Sequence, residues 1–178
     1  MALVLLLSAH CAHAEPRSIV LCRIGESGAQ AWSFFRQYLQ GKGFQVTFYQ
    51  GGATIEQHVQ EVNNLVRGPG GSILLALELV PATQTQILVA VTDAKKGEGR
   101  FLLIDQIPAQ FAEESERLAG FLAGPFKVGV KHLPLFPLLG VDMPGVFVQM
   151  HYKEGEFEGT LQMLEGGVER YFTERATR

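Results

Sequence analysis

Apolar residues along this chain follow two rhythms. Short blocks at 18–24 (SIVLCRI), 44–49 (FQVTFY), 72–80 (SILLALELV), 86–91 (QILVAV) and 144–148 (PGVFV) have the length and β-branched content of strands in a covered sheet. Elsewhere the apolar positions recur every three or four residues, as at Trp32, Phe35 and Leu39 within 29–40 and at Phe111, Leu118 and Leu122 within 109–123. That spacing predicts amphipathic helices, joined by two more over 55–66 and 158–173. Gly41 and Gly43 stop the first helix, Thr54 is placed to cap the second, and Glu113, Glu114 and Glu116 suit the positive end of the third.

Strand and helix alternate from 18 to 80, the signature of βαβ units and a parallel sheet. The blocks 86–91 and 101–104 (FLLI) flank a charged, glycine-containing turn at 95–99, which predicts an antiparallel hairpin at a sheet edge. A short strand is expected over 126–130. The proline-interrupted apolar stretch 132–143 (HLPLFPLLGVDM) is expected to be an irregular loop. The predicted fold is α/β: a mostly parallel twisted sheet of about six strands flanked by helices, with an antiparallel edge hairpin. No internal repeat interrupts it.

Composition narrows the picture. The 178 residues suit one globular domain, here 15–178. A net charge of −3 without a long Lys or Arg cluster removes the usual electrostatic basis for a nucleic-acid partner. Residues 1–14 (MALVLLLSAHCAHA) form an apolar run closing on Ala12-His13-Ala14, the A-x-A pattern of a secretory signal peptide cut before Glu15. The other reading of that run is a first buried strand or a short core helix. It is too short to cross a bilayer, so no transmembrane segment is expected after cleavage. The expected location is the periplasm or cell envelope. Cleavage removes Cys11 and leaves Cys22 without a disulfide partner, inside a strand, where a buried inert thiol is expected.

The candidate chemistry lies at strand ends. In an open α/β sheet ligands gather at the carboxyl ends of the strands, and the block at 144–148 runs there into Gln149 and His151. An amide cannot take up a proton at neutral pH, so Gln149 can orient a ligand but cannot act as general base. Glu78 lies near the end of the most apolar strand, where a carboxylate must be paired or reach the rim. Glu26 follows the first strand. Glu26, Glu78 and His151 together would make an acceptable divalent-metal set, the alternative being rim carboxylates and a strand-end histidine. His58 is expected on a solvated flank of the second helix, and His132 has no partner at metal-ligand spacing. Trp32, Phe34 and Phe35 are expected in or near the core, and 153–156 as a solvated turn.

Asn63 in the run VNN, the helix segment Ser115-Glu116-Arg117-Leu118-Ala119, the strand Met143-Pro144-Gly145-Val146-Phe147-Val148 and the closing Gly167-Val168-Glu169-Arg170-Tyr171-Phe172 occur in an order and spacing worth comparing. Together they resemble the zinc-dependent N-acetylmuramoyl-L-alanine amidases, cell-wall hydrolases that cut between muramic acid and the peptide stem. The resemblance covers roughly 18–172 and implies that family's fold, a sheet flanked by helices. It also implies a catalytic zinc with a general-base glutamate. Here the chain departs from the family. The glycine-rich loop with the first histidine ligand is replaced by GESG, and Glu26 falls about two residues out of register for the glutamate ligand. Ala76-Leu77-Glu78 stands where the family has S-I-H, and Gln149 stands at the general-base position.

A hydrolytic zinc needs three protein ligands, an open position for water and a base. None of the four positions carries the expected residue. The leading expectation is therefore a catalytically inactive amidase-like protein of the cell envelope, a pseudoenzyme with no cofactor, no catalytic residue and no metal. It would bind peptidoglycan or a cell-wall-processing partner, with Glu26, Asn63, Glu78, Gln149 and His151 as candidate ligand-binding residues. Two alternatives stand beside it. One is an active metal-dependent N-acetylmuramoyl-L-alanine amidase with zinc on Glu26, Glu78 and His151; the other is a partner-binding module that docks through the apolar loop 133–139.

Overall fold

The computed structural model describes residues 17–26, 28–51, 54–65, 72–97 and 102–177. The predicted leader, 1–14, lies outside the described residues. Six strands, β1 (Ser18–Ile24), β2 (Gln45–Gln50), β3 (Ser72–Pro81), β4 (Gln86–Thr92), β5 (Val130–Leu133) and β6 (Gly145–Tyr152), form one sheet in the order β2-β1-β3-β6-β4-β5. Strands β2, β1, β3 and β6 are mutually parallel; β4 runs antiparallel to β6, and β5 runs parallel to β4. Among the described residues, four α-helices flank the sheet: α1 (Ala29–Gly41), α2 (Ile55–Asn64), α3 (Ala112–Ala123) and α4 (Phe157–Ala176). None of the described helices is long and apolar enough to cross a membrane.

Strand alternation divides the core in two. Ile19 and Leu21 of β1, Ile73, Leu75, Leu77 and Leu79 of β3, and Val146, Val148 and Met150 of β6 pack against α1, α3 and α4. The intervening residues, Val20, Cys22, Leu74 and Ala76, face α2 and the segment before β6, where they meet Val62, Leu138, Val141 and Met143. Both faces are covered, which is why β1 and β3 read as continuous apolar runs. Thr54 caps α2 as expected, its hydroxyl accepting the Gln57 N–H at 3.2 Å.

The antiparallel pair exists, but its partners differ from expectation. Residues 102 and 103 are not in a strand, and Ile104–Phe111 forms a 3-10 helix leading into α3. Strand β4 instead inserts between β6 and β5. The stretch 132–143, expected to be an irregular loop, starts inside β5, with His132 and Leu133 in the strand, and continues into a 3-10 turn, Phe136–Leu138. That turn does not present its apolar residues uniformly outward: Leu138 is buried and Phe136 exposed. Trp32 and Phe35 are core residues; Phe34 is exposed and stacks on Tyr38.

The runs that carried the resemblance touch one another. The Ser115 hydroxyl on α3 accepts the Gly145 N–H at 3.0 Å, fixing the start of β6 to the helix. Gly167 lets α4 approach α3, since a Cβ there would lie 2.7 Å from the Phe121 carbonyl oxygen.

Candidate functional site

The strand order reverses at β1: the chain moves from β1 to β2 on one side, then crosses to β3 on the other. A crevice at the carboxyl ends of strands flanking such a reversal is the usual ligand position in open α/β sheets. Three expected site residues lie on that rim. Glu78 of β3 and Gln149 of β6 are register partners, with Ile24 of β1 completing the row. Gln149 Nε2 donates to Glu78 Oε2 at 2.6 Å, and both residues are half-buried. His151 lies one row further out on the same face as Gln149, level with Val80 and Gln86.

The bend after β1 forms the neighbouring wall. Arg23 donates from Nε to the Gly25 carbonyl at 3.2 Å and from Nη2 to the Glu26 carbonyl at 2.6 Å. Gly25 has φ +73°, a conformation in which a side chain is strained, and its Cα is turned toward Glu78, so that a Cβ would lie 3.7 Å from Oε1. Glu26 is exposed and joins the rim through its carbonyl; no hydrogen bond or ion pair links its carboxylate to Glu78, Gln149 or His151. Arg23 was not among the sequence candidates. Its signal was a lone charge among the apolar residues of the first strand.

Asn63 sits elsewhere. At the end of α2, its amide donates to the Gly140 carbonyl at 2.9 Å and its carbonyl accepts the Asp142 N–H at 3.0 Å. Both ends of this side chain hold the segment before β6, away from the Glu78 rim.

His58 corrects an expectation. It is buried, not solvated, with Nε2 3.0 Å from the Pro137 carbonyl and its ring between those of Tyr49 and Phe136. Burial lowers its pKa from 6.5, outweighing the Pro137 carbonyl and Glu61, which act in the other direction. The signal was present: position 58 lies three residues after Ile55 and four before Val62, on the apolar stripe of α2. His132 of β5 has ion-pair partners at the opposite end of the sheet, Glu116 at 2.9 Å and Asp93 at 3.5 Å, beside a cavity of about 220 Å³. Cys22 is fully buried and unpaired by disulfide, and burial pushes its thiol up to about 11, as expected of an inert thiol.

Among the described residues no group of three or more His, Cys, Asp or Glu side chains comes together as a metal site. Glu26, Glu78 and His151 are near one edge without converging. A single carboxylate already bonded to an amide does not fit the three-ligand tetrahedral site that a catalytic zinc requires. What the rim offers is hydrogen-bonding capacity: a carboxylate held by one donor, an amide oxygen and an imidazole.

No family model matches the chain, and no curated protein sequence matches it. Solved structures do. The N-acetylmuramyl-L-alanine amidase Ami1 from Mycobacterium smegmatis is similar with a TM-score of 0.53 and 12% identity, over 90% of this chain and 99% of that one. The apo form of Ami1 from Mycobacterium abscessus gives 0.53 and 12%, over 88% and 99%. The catalytic domain of the CD27L endolysin targeting Clostridia difficile gives 0.50 and 10%, over 90% and 97%. The six-stranded, mostly parallel sheet with its flanking helices is thus the amidase-like α/β fold.

Proposed function

We propose that this chain is an exported, amidase-like protein that binds peptidoglycan, or a protein that processes it, without hydrolysing the amide bond. The observation that carries this reading is the Glu78–Gln149 pair. It occupies the carboxyl ends of two central strands, where the resemblance implies a zinc-binding histidine and a general-base glutamate. Glutamine supplies no base, and general-base assistance is worth on the order of a hundredfold or more. Without a zinc ligand set there is also no metal-activated water. The rim keeps polar groups that can accept hydrogen bonds from a glycan or a peptide stem. The similar structures, N-acetylmuramyl-L-alanine amidases among them, support peptidoglycan as the ligand class.

Purified sacculi test this directly. The expected result is co-sedimentation of the mature chain at low salt, weakened in a Glu78→Ala, Gln149→Ala double variant, with no release of peptide stems in the presence of zinc. Absence of co-sedimentation would remove peptidoglycan as the ligand and favour a protein partner. Zinc retained after dialysis at one ion per chain, lost in Glu78→Ala and accompanied by stem release, would overturn the noncatalytic reading in favour of an active metal-dependent amidase.

A further inference from the structure

The α2 face of the sheet is closed by the helix itself and by the segment between β5 and β6, and one titratable side chain joins the two. His58 is 1% exposed. Its Nε2 is 3.0 Å from the Pro137 carbonyl, and a carbonyl can only accept, so Nε2 carries the proton. Nδ1 is then a bare acceptor, buried and without a hydrogen-bond partner among the described residues. Ring centroids of Tyr49 and Phe136 lie 5.4 and 5.5 Å away. A second proton would create a buried charge whose new donor has nothing to bond.

We propose that His58 is an acid-released latch: the neutral ring pins the segment between β5 and β6 onto α2, and protonation frees it. The surroundings offer little counter-charge. On α2, Glu61 acts on the ring, but its carboxylate accepts from Gln57 at 2.8 Å. From β2 the ring meets the Tyr49 phenol, and from β1 this face presents the Cys22 thiol, neutral with its pKa near 11. β3 and β6 contribute Leu74, Ala76 and Phe147 and, further along the same face, the Glu78 carboxylate, which accepts from Gln149 at 2.6 Å, and His151; the segment offers the Pro137 carbonyl and the Phe136 ring. Asp142, further along the segment, is held through its backbone N–H by Asn63. Release has a structural consequence. Leu138, next to the latched carbonyl, is 2% exposed and forms part of the wall of the 220 Å³ cavity at the other side of the segment. Acid would therefore open that cavity from the α2 side, with Asn63 still anchoring Gly140 and Asp142.

The sign follows from linkage. An open segment lets the ring titrate near 6.5, whereas the closed one resists protonation, so opening is favoured as pH falls below 6.5 and is insensitive to pH above it. Amide hydrogen exchange of the full chain from pH 8 to pH 5, corrected for intrinsic exchange, reads this at Leu138 and Leu139, whose N–H groups bond Leu135 and Phe136 carbonyls. Protection there is expected to fall about tenfold per pH unit below 6.5, until the closed ring itself titrates, while α4 amides hold. His58→Gln keeps a neutral donor for Pro137 and should make the profile flat. Should that variant fail to fold, the His58 Cε1–H shift of the wild type must change over the same pH range as the protection. Flat protection in the wild type, a loss retained in His58→Gln, a loss abolished by His132→Gln, or equal loss across α4 would each overturn the latch.

Discussion

Gln149 and Glu78 face each other in register on adjacent parallel strands, their side chains joined at 2.6 Å. The chemistry of one position sets what the other can be. A half-buried carboxylate at 78 needs a donor beside it, and glutamine is the near-isosteric donor closest in shape to the glutamate that the resemblance places at 149. The two departures from the amidase pattern are thus one hydrogen-bonded unit.

A glutamate at 149 should therefore be harmful. Gln149→Glu places two carboxylates at hydrogen-bond distance, and like charges so close raise the pKa of one of them. Both carboxyls are ionised in the unfolded chain at pH 7, so the variant is expected to lose about 1–2 kcal/mol there. The raised folded-state pKa means that this deficit shrinks as pH falls toward 4, the folded state taking up its proton first. Urea unfolding of both proteins at pH 7 and pH 4.5 checks it: equal deficits at both values would show that the pair does not interact as described. On the proposed noncatalytic reading no amidase activity is expected of the variant, since one base without a ligand set has no metal-bound water to act on.

How much of this was readable beforehand depended on where the deciding contacts lay. The central strands were legible because each is a long apolar run between glycine or proline breaks. The β4 partner was not. Residues 101–104 have an apolar strand-like composition, yet Leu103 is 65% exposed just before the 3-10 helix; the antiparallel partner is β6, and the edge neighbour, Val130–Leu133, pairs in parallel, carries Lys131 and His132 and was expected a few residues earlier. Its pairing is fixed by contacts some 40 residues apart along the chain, which local pattern does not encode. The rim residues Glu78 and Gln149 were legible one by one from strand ends; that they bond each other depended on the β3–β6 register. Asn63 was selected by resemblance alone, and its bonds to Gly140 and Asp142 identify it as an anchor for a loop.

Cys22 provides a simple check on the α2-face core. With its thiol pushed from 9.0 to about 11, the thiolate population at pH 8 is about a hundredfold smaller than for a free thiol, before any steric block is counted. Reaction with a chromogenic disulfide should be at least that much slower in the native protein than in 6 M guanidinium. Fast native labelling of Cys22 would mean that α2 and the segment over it open readily at neutral pH.

Tyr171 gives alkaline pH a specific target. Its hydroxyl bonds Glu114 at 3.1 Å, and burial, then that carboxylate, push the phenol up to about 12. The unfolded phenol ionises near 10, so stability is unaffected by this group below that value and is lost as pH rises from 10 through 12. A two-unit difference corresponds to about 2–3 kcal/mol at full titration. Comparing unfolding of wild type and Tyr171→Phe at pH 9 and pH 11.5 isolates it. The variant should show the shallower decline, and parallel declines would remove Tyr171 as the cause.

The two adjacent glycines of α4 should respond oppositely to the same substitution. Gly166 has open space where a Cβ would go, so alanine there adds no clash and reduces the entropy lost on forming the helix, a gain of about 0.5–1 kcal/mol. At Gly167 the added methyl would sit 2.7 Å from the Phe121 carbonyl oxygen and 3.1 Å from the Leu122 Cα, both backbone atoms of α3. Neither can move aside as a flexible side chain would, so the helices must separate, loosening Leu164, Val168 and Tyr171 from their apolar cluster. Overpacking of this kind costs about 1–3 kcal/mol. For a chain of this size that is a fall of several degrees in Tm for Gly167→Ala, set against a rise of about 1–4 °C for Gly166→Ala. Thermal unfolding of the two variants decides it, and a destabilised Gly166→Ala with an unchanged Gly167→Ala would mean that α4 is rotated relative to α3.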